Sequence, residues 1–590
     1  MLALCALLLA TAATGLSQDL PTTPLAESPT LAANAPVLPP ALATVYGVVR
    51  NAFTGLPLAR VLVQIEGDAS TGALTDGEGR FELAGVPVGP QTIRVRKPGY
   101  HDRSYATEDV DYQDDGPAHS VLVAAEMPAL DFRLTPTSAI HGRVELSTGD
   151  PAQGITLKLL KQVIRNGRAV WAQNGETRTN GDGAYRFAGL PSGVYAVYTM
   201  PAFESEPAVS AVAAGAKVMR NGYASVFYPE AREFADATRI RLRGGKEAEA
   251  NLLLTLEPFY TVKATAILPN GKSLSGDDSS GSSVPEPKPA TVLDATERIL
   301  PYTLQLDAVT HSFQANLPNG AYTLVVGAEE NTDASLGHDG AMRQKQAVLS
   351  GFVELSIESH AVANLRIPLL PSPTWPIHLR TVRSIAPTNT SSNQRQQNLV
   401  TVTATNAGDA PMGEAGEDST AEDAGPDLLE LAAGPGPHWI STEVNDRSLC
   451  VDSFSAGGIN LAREPLNVAL GASAPPMELT LRDDCGQLVL GLPMMLAAFL
   501  PGDEPFYTVY VVPDFDTTSD IPPMNIHPSS GATLTVDGLT PGNYHVYTFD
   551  RPVRLEYRNP AVLAALRTQG QAVTITAGTT SNLVLEVPQR

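Results

Sequence analysis

Charge is sparse in this chain of 590 residues, and positive charge is the sparser. Lys and Arg number 40 against 63 Asp and Glu, and charged residues make up 17% of the sequence. A net charge of −23 repels a phosphate backbone, which excludes nucleic acid as a partner, and it disfavours an anionic membrane surface. No stretch reaches the ~18 apolar residues of a membrane helix. Leu488 to Leu500 comes nearest and is broken by Gly491 and Pro493. The ten histidines include no His-x-His, His-x-x-Glu or His-Glu-x-x-His, so a zinc hydrolase lacks its ligand pattern. Gly-x-Ser-x-Gly and a phosphate-binding Gly-rich loop are missing too, which removes the signatures of a serine hydrolase and a nucleotide-binding enzyme. The expectation is a protein that is not an enzyme and carries no cofactor and no metal.

What is present in excess is turn chemistry. Gly numbers 49 and Pro 48, while aromatics are 6% of the chain. That profile suits many short strands joined by tight turns rather than long helices. The length calls for about four domains on size alone. The fold class expected is all-β: tandem Ig-like or transthyretin-like β-sandwiches, with one short helix near the C-terminus.

The run Met1 to Ala10 is apolar, and small residues follow it (Thr11 to Gly15). It matches the apolar and cleavage regions of a secretory signal peptide, without a positive first region. Residues 1–18 are therefore expected to be a signal peptide, and 19–43, rich in Pro, Ala, Thr and Ser, a disordered linker. The protein is then exported, to the periplasm, the medium or the cell surface, with no transmembrane segment once the signal is cleaved. Cys5 lies in the leader. Of the three cysteines, Cys450 and Cys485 remain, and one pair in an exported chain points to one disulfide. It would close a loop of roughly 35 residues and add ~3 kcal/mol.

One hairpin pattern organises the rest. Thr75-Asp76-Gly77-Glu78-Gly79-Arg80-Phe81 is followed by Ala84-Gly85-Val86-Pro87-Val88-Gly89. Thr179-Asn180-Gly181-Asp182-Gly183-Ala184-Tyr185 is followed by Ala188-Gly189-Leu190-Pro191-Ser192-Gly193. The first part of each is a turn in which Gly supplies positive φ and Asp or Asn caps with its side chain. Alternating strands on either side of the Gly/Pro turn that follows make the second part a β-hairpin. Weaker copies occur at Phe313 to Tyr322, Leu429 to Trp439 and Leu534 to Tyr544. A period near 100 residues is one sandwich per copy. The expected domains are 44–136, 137–258, 259–371, 372–478 and 479–590, following one another like beads. Strands are expected to close four of them (Asp131–Leu134, Ala250–Leu256, Ala363–Leu369, Asn582–Val587). Residues 270–289 and the acidic 408–426 read as surface loops, and Asn559-Pro560 to Arg567 as a helix with Pro at its start.

Binding chemistry is thin. The carboxylates of Glu108 to Asp115 and Asp514 to Asp520 match no defined calcium-loop spacing and read as solvated loops. Tyr195, Tyr322 and Tyr544 recur at one repeat position and read as core or corner residues. Trp171, Trp375 and Trp439 are left as candidates for a ligand platform, by stacking on a sugar.

The repeated elements resemble the carboxypeptidase regulatory-like domain. The shared pattern is an opening Val/Ile-x-Gly-x-Val strand (Val45 to Val49, Ile140 to Val144), a Gly-x-Pro-Leu/Val turn, Thr-Asp-x-x-Gly-x-Phe and Leu-Pro-x-Gly-x-Tyr. Residues 45–100 and 139–200 carry it best. Ser453 to Leu461, Glu464 to Val468 and Tyr557 to Val587 are similar to multi-repeat exported proteins of an acidobacterial type. The resemblance implies a transthyretin-like sandwich of the carbohydrate-binding-like fold, used as a non-catalytic accessory module. It implies a polysaccharide or a cell-envelope protein as partner, and a protein–protein scaffold or adhesin as the alternative; a hydrolase is the remaining reading. Related adhesin sandwiches form Lys–Asn isopeptide bonds. The opening strands Val45 to Arg50 and Ile140 to Glu145 hold no Lys, so none is expected there.

Overall fold

The computed structural model describes residues 41–586 except 68–70, 103–117, 205–218, 275–284, 296–297, 308–309, 332–334, 337–341, 344–345, 372–373, 383–398, 408–418, 426, 434–435, 469–474, 493–506, 527–532 and 551–552. The signal segment, most of the linker and the Glu108 to Asp115 cluster lie outside the described residues. The linker's expected end does not: strand begins at Leu42, where alternate apolar side chains (Ala43, Val45) enter the first core.

The fold is all-β, with 64% of the described residues in strands and 3% in helix. Its apolar side chains gather in five main cores, which run through residues 43–134, 140–254, 260–369, 375–481 and 488–585. One plan recurs in all five. An opening strand is paired antiparallel with the first strand of the repeat and parallel with a closing strand. In the first unit these are Leu42–Asn51, Arg80–Pro87 and Leu130–Pro136. The second uses Ser138–Leu146, Ala184–Leu190 and the short pair Glu247–Glu249 and Leu252–Leu254. The third, fourth and fifth open with Leu256–Ile267, Thr374–Val382 and Gly486–Gly491. Among the described residues the two strands of the repeat pair with each other in none of the five units, which corrects the expected hairpin: the Gly/Pro turn is a crossing that carries the chain to a second sheet in the first, second, fourth and fifth units, and in the third to a distant strand of one continuous sheet. In the second unit the receiving sheet runs Arg168–Arg178, Thr156–Arg165, Gly193–Thr199, Ile240–Leu242.

The repeated turn is built the same way twice. Asp76 Oδ1 accepts from the amides of Glu78 and Arg80 (2.9 and 2.8 Å), and Asn180 Oδ1 from those of Asp182 and Ala184 (3.0 and 2.9 Å). The preceding threonine is buried and ties the turn to the rest of the sheet. Thr75 Oγ1 accepts from Val61 N and donates to Leu58 O; Thr179 Oγ1 accepts from Ile155 N and donates to Ala152 O. The glycines divide by role. Gly79 (φ +73°) and Gly183 (φ +69°) adopt the left-handed region, and a Cβ there would lie 2.6 Å from Val49 O or 2.5 Å from Val144 O. Gly77 and Gly181 have no positive φ and face open space, so the expectation that every glycine supplies positive φ is corrected: only the second of each pair does. Pro87 and Pro191 flank the crossing to the second strand of the repeat, with Gly89 at φ +122° and Gly193 outside the positive region.

Burying a hydroxyl with two partners makes those partners depend on it. Thr179→Val should therefore cost roughly 2 kcal/mol or more in the second unit, read as a lowered urea midpoint. Asp182→Ala on the exposed side of the same turn should stay within about 0.5 kcal/mol.

Strand boundaries depart from the expected divisions in two places. Met477–Arg482 pairs with Thr374–Val382 and Cys450–Ala456 and buries Leu479 and Leu481 in the fourth core, so position 478/479 falls inside a strand. Leu256–Ile267 likewise spans 258/259 and pairs with Met219–Tyr223, which joins the preceding segment to the third sheet. Within the expected loops, Glu286–Pro287, Ser419–Thr420 and Glu422–Gly425 form short strands. The helix is where its signals place it, Pro560–Leu566, with the Asn559 side chain accepting from Ala561 N.

A candidate interaction site where three sandwiches meet

The tyrosines at the repeat position are corner residues. Tyr195, Tyr322 and Tyr544 are buried, and each donates its hydroxyl to a carbonyl four residues back: Pro191 (2.8 Å), Pro318 (3.1 Å) and Thr540 (2.6 Å). They brace the crossing turn and offer no ring to a ligand.

The three tryptophans do not form a platform, which corrects the expectation placed on them. Trp375 is 4% exposed and part of the fourth core. Trp171 meets Phe234 edge-on at 5.2 Å, and the Arg239 guanidinium lies 4.8 Å from its ring centre. Trp439 is half-buried, with the Arg168 guanidinium 3.3 Å from its ring centre. Arg168 belongs to the second unit and Trp439 to the fourth.

That stacking pair is one side of a junction of three units. Strands Thr156–Arg165 and Arg168–Arg178 form a long hairpin whose two-residue tip is Asn166-Gly167. Both tip residues have positive φ (+46° and +72°), the geometry that follows the twist of a hairpin and favours Asn-Gly. Arg558 of the fifth unit holds the tip by its backbone. Its amide donates to Gly167 O (3.0 Å) and its Nε to Asn166 O (3.0 Å). The same guanidinium donates to the carbonyls of Thr517 (2.6 Å), Thr518 (3.1 Å) and Ser519 (3.0 Å). It also pairs with Asp520 at 3.6 Å. On the fourth unit, Arg168 Nη2 donates to Ala462 O (3.4 Å).

The local fold of the fifth unit sets up this grip. The helix lays Val562, Leu563 and Leu566 against Tyr510, Tyr547 and Leu555, and Tyr557 in that cluster accepts from Ile521 N. Arg558 therefore leaves a fixed segment. The fourth and fifth units are joined beside it: Thr442 N donates to Thr518 O (3.0 Å) and the two threonine hydroxyls lie 3.0 Å apart, buried. Thr540 Oγ1 donates to Val451 O and Arg463 pairs with Asp516.

Electrostatics at the junction follow from burial. Arg168 is pushed down to about 10, first by desolvation and then by repulsion from Arg558, and stays charged at neutral pH. Burial raises Asp520, against the pull of Arg558 and of a hydrogen bond from Ser441. A cleft of about 500 Å³ opens alongside, lined by residues of all three units, among them Ile164, Glu443, Asp520 and Tyr557.

The Asp514 to Asp520 carboxylates are spent on separate partners. Asp514 lies 2.7 Å from His545 Nδ1, Asp516 pairs with Arg463 and Asp520 with Arg558. Sequence reasoning passed over Asn166 to Arg168 and Arg558. The Asn-Gly pair signals a hairpin, but nothing in it names the surface that receives the tip. Cys450 and Cys485 form a disulfide, with Cα atoms 5.9 Å apart. Among the described residues no helix is long and apolar enough to cross a membrane.

The opening strand, the capped turn and the parallel closing strand define the class of the first unit. Residues 44–124 match the family model of the carboxypeptidase regulatory-like domain. No curated protein matches the chain. Among solved structures the chain is similar to the TIE protein of Bacillus anthracis, at 10% identity over 75% of this chain and 74% of that one, with a TM-score of 0.16. A full-length pilus protein of Streptococcus pneumoniae aligns at 9% identity over 77% and 99%, with a TM-score of 0.14. A minor pilin of Streptococcus agalactiae aligns at 14% over 36% and 95%, with a TM-score of 0.17. At such scores these likenesses bear on neither function nor arrangement.

Proposed function

We propose that this protein is a non-catalytic, exported array of β-sandwiches that serves as a scaffold or binding module at the cell envelope, with a protein as its partner. One observation carries the reading: the side chains that could have done chemistry are taken up by contacts within units and between them. Trp439 lies under Arg168, the repeat tyrosines bond to their own turns, and Asp516 and Asp520 pair with Arg463 and Arg558. Inter-unit contacts of this polar kind suit a shape-bearing protein better than a pocket with turnover. The Cys450–Cys485 bond fits an oxidising compartment and so supports export.

Carbohydrate was the ligand class expected from the fold resemblance. It rested on that resemblance alone, and the aromatics that could stack on a sugar do not support it: Trp375 is in the core, and Trp171 and Trp439 each carry an arginine on one face. A glycan array run beside a pull-down from the cell envelope decides between the two. A specific envelope protein with no glycan signal is the expected outcome. A specific glycan with no protein recovered would replace this reading by a carbohydrate-binding one.

A further inference from the structure

The contact between the second unit and the fourth and fifth is unlike the joint between the fourth and fifth. The latter includes the buried Thr442–Thr518 pair and follows directly along the chain. The former is made by the tip of one hairpin, residues separated by 294 and 392 positions from their partners. Everything between, the whole third unit included, forms the span that the contact closes.

We propose that Asn166-Gly167-Arg168 is a clasp that latches into the groove between the fourth and fifth units and closes units two to five into a ring. The groove fits this occupant in three ways. Arg558 presents its amide and Nε to the two tip carbonyls. Trp439 offers a ring face to the arginine that follows the tip. Tyr557 sets the size limit: Gly167 is buried, and a Cβ there would lie 2.5 Å from the Tyr557 ring. The tip must therefore be Gly for reasons of space as well as of φ.

The contact is made by one hairpin tip through backbone hydrogen bonds and a stacked ring, and its two arginines repel each other. Domains of one chain move relative to one another unless a large apolar interface joins them. The contact holds because the tip is tethered: closing within one chain meets a high effective concentration, so a few contacts suffice. Opening would uncover the ring face of Trp439 and dismantle the three-unit cleft, since Ile164, Asn166 and Gly167 line it.

Small-angle scattering and amide hydrogen exchange on the full chain test this, using Arg168→Glu and, from the other side, Trp439→Ala. Arg168 sits just past the tip, so the hairpin keeps its Asn-Gly turn in the first variant, and the second leaves the hairpin intact. Both should lengthen the particle's maximum dimension while remaining monomeric. Both should speed exchange of the Arg558 amide about tenfold or more, the loss expected when a hydrogen-bonded contact with a charged group opens. Exchange in the core strands of the second and fourth units should stay at wild-type rates, which separates opening from unfolding. Unchanged dimensions and Arg558 protection in both variants would overturn the clasp. So would a wild-type chain that scatters as an extended monomer, or one whose Arg558 protection depends on protein concentration, since the latter places the contact between two copies.

Discussion

Gly142→Val should disable the second sandwich while Gly181→Ala in the same sandwich passes almost unnoticed. Gly142 lies in the opening strand where the closing segment runs alongside it. A Cβ at 142 would lie 2.6 Å from the Ala250 carbonyl carbon and closer still to its oxygen. Ala250 has nowhere to retreat. Its amide donates to His141 O (2.8 Å), its carbonyl accepts from the Tyr185 hydroxyl (2.5 Å), and the next residue, Asn251, accepts from Arg143 N through its side chain (2.8 Å). Relieving the clash means breaking that set of bonds, of which the Tyr185–Ala250 one is buried. Overpacking a core costs about 1–3 kcal/mol, and stranding buried polar groups adds about 1–3 kcal/mol for each. A loss of at least ~4 kcal/mol is expected, among the larger effects of single substitutions. Gly181 has no positive φ, and a Cβ there would meet no other atom within 4 Å, so alanine should stay within about 0.5 kcal/mol. Unit-resolved hydrogen exchange reads both: strands 138–146 and 184–190 lose protection in the first variant and keep it in the second. Equal effects would mean that the opening-strand glycine is not a close-approach residue.

That contrast also marks what could be read from sequence. The turn Thr-Asp/Asn-Gly-x-Gly was legible because its chemistry is local: side-chain caps and one left-handed residue within seven positions. The helix at Pro560 was legible for the same reason, through Asn559 and proline at its first position. The division of labour between Gly181 and Gly183 was not, because it depends on Val144, a residue in another strand that comes within reach of Gly183 only after folding. Trp375 and Trp439 looked alike as isolated aromatics. Burial separates them, and burial is set by strand register in the fourth unit. The junction was the least legible of all. Asn166-Gly167 announces a hairpin, yet its receptor combines Arg558, Trp439 and Ala462 from positions about 270 to 390 residues away. Contacts of that separation leave no periodic trace in a sequence. For the same reason, a chain of beads was the natural expectation and the fold-back contact was not.

Removing the disulfide should weaken the fourth sandwich and loosen its joint to the fifth. Cys450 begins the strand Cys450–Ala456, opposite Arg482 at the end of the fourth unit's closing strand. Cys485 lies three residues further on, one before the opening strand of the fifth unit, Gly486–Gly491. The bond therefore pins the point where the chain passes from one sandwich to the next. Beside it, Arg482 donates to both oxygens of Asp484 (2.5 and 2.8 Å) and pairs with Asp452. These groups are partly exposed, so water screens them and they add little on their own. The covalent link is the larger contribution. Closing a loop across a sequence separation of 35 removes chain entropy worth about 3–4 kcal/mol from the unfolded state. The double variant Cys450→Ser, Cys485→Ser should lower the melting temperature of the fourth unit by roughly 10–30 °C, given about 4–8 °C per kcal/mol for a domain near this size. Dithiothreitol should shift the wild-type protein by a similar amount and leave the double variant unmoved. Calorimetry on the full chain resolves this, because the first and second units keep their transitions in both cases. A wild-type transition insensitive to reductant would show that the joint is held by packing and the Arg482–Asp484 pair, with the sulfur bridge a passenger.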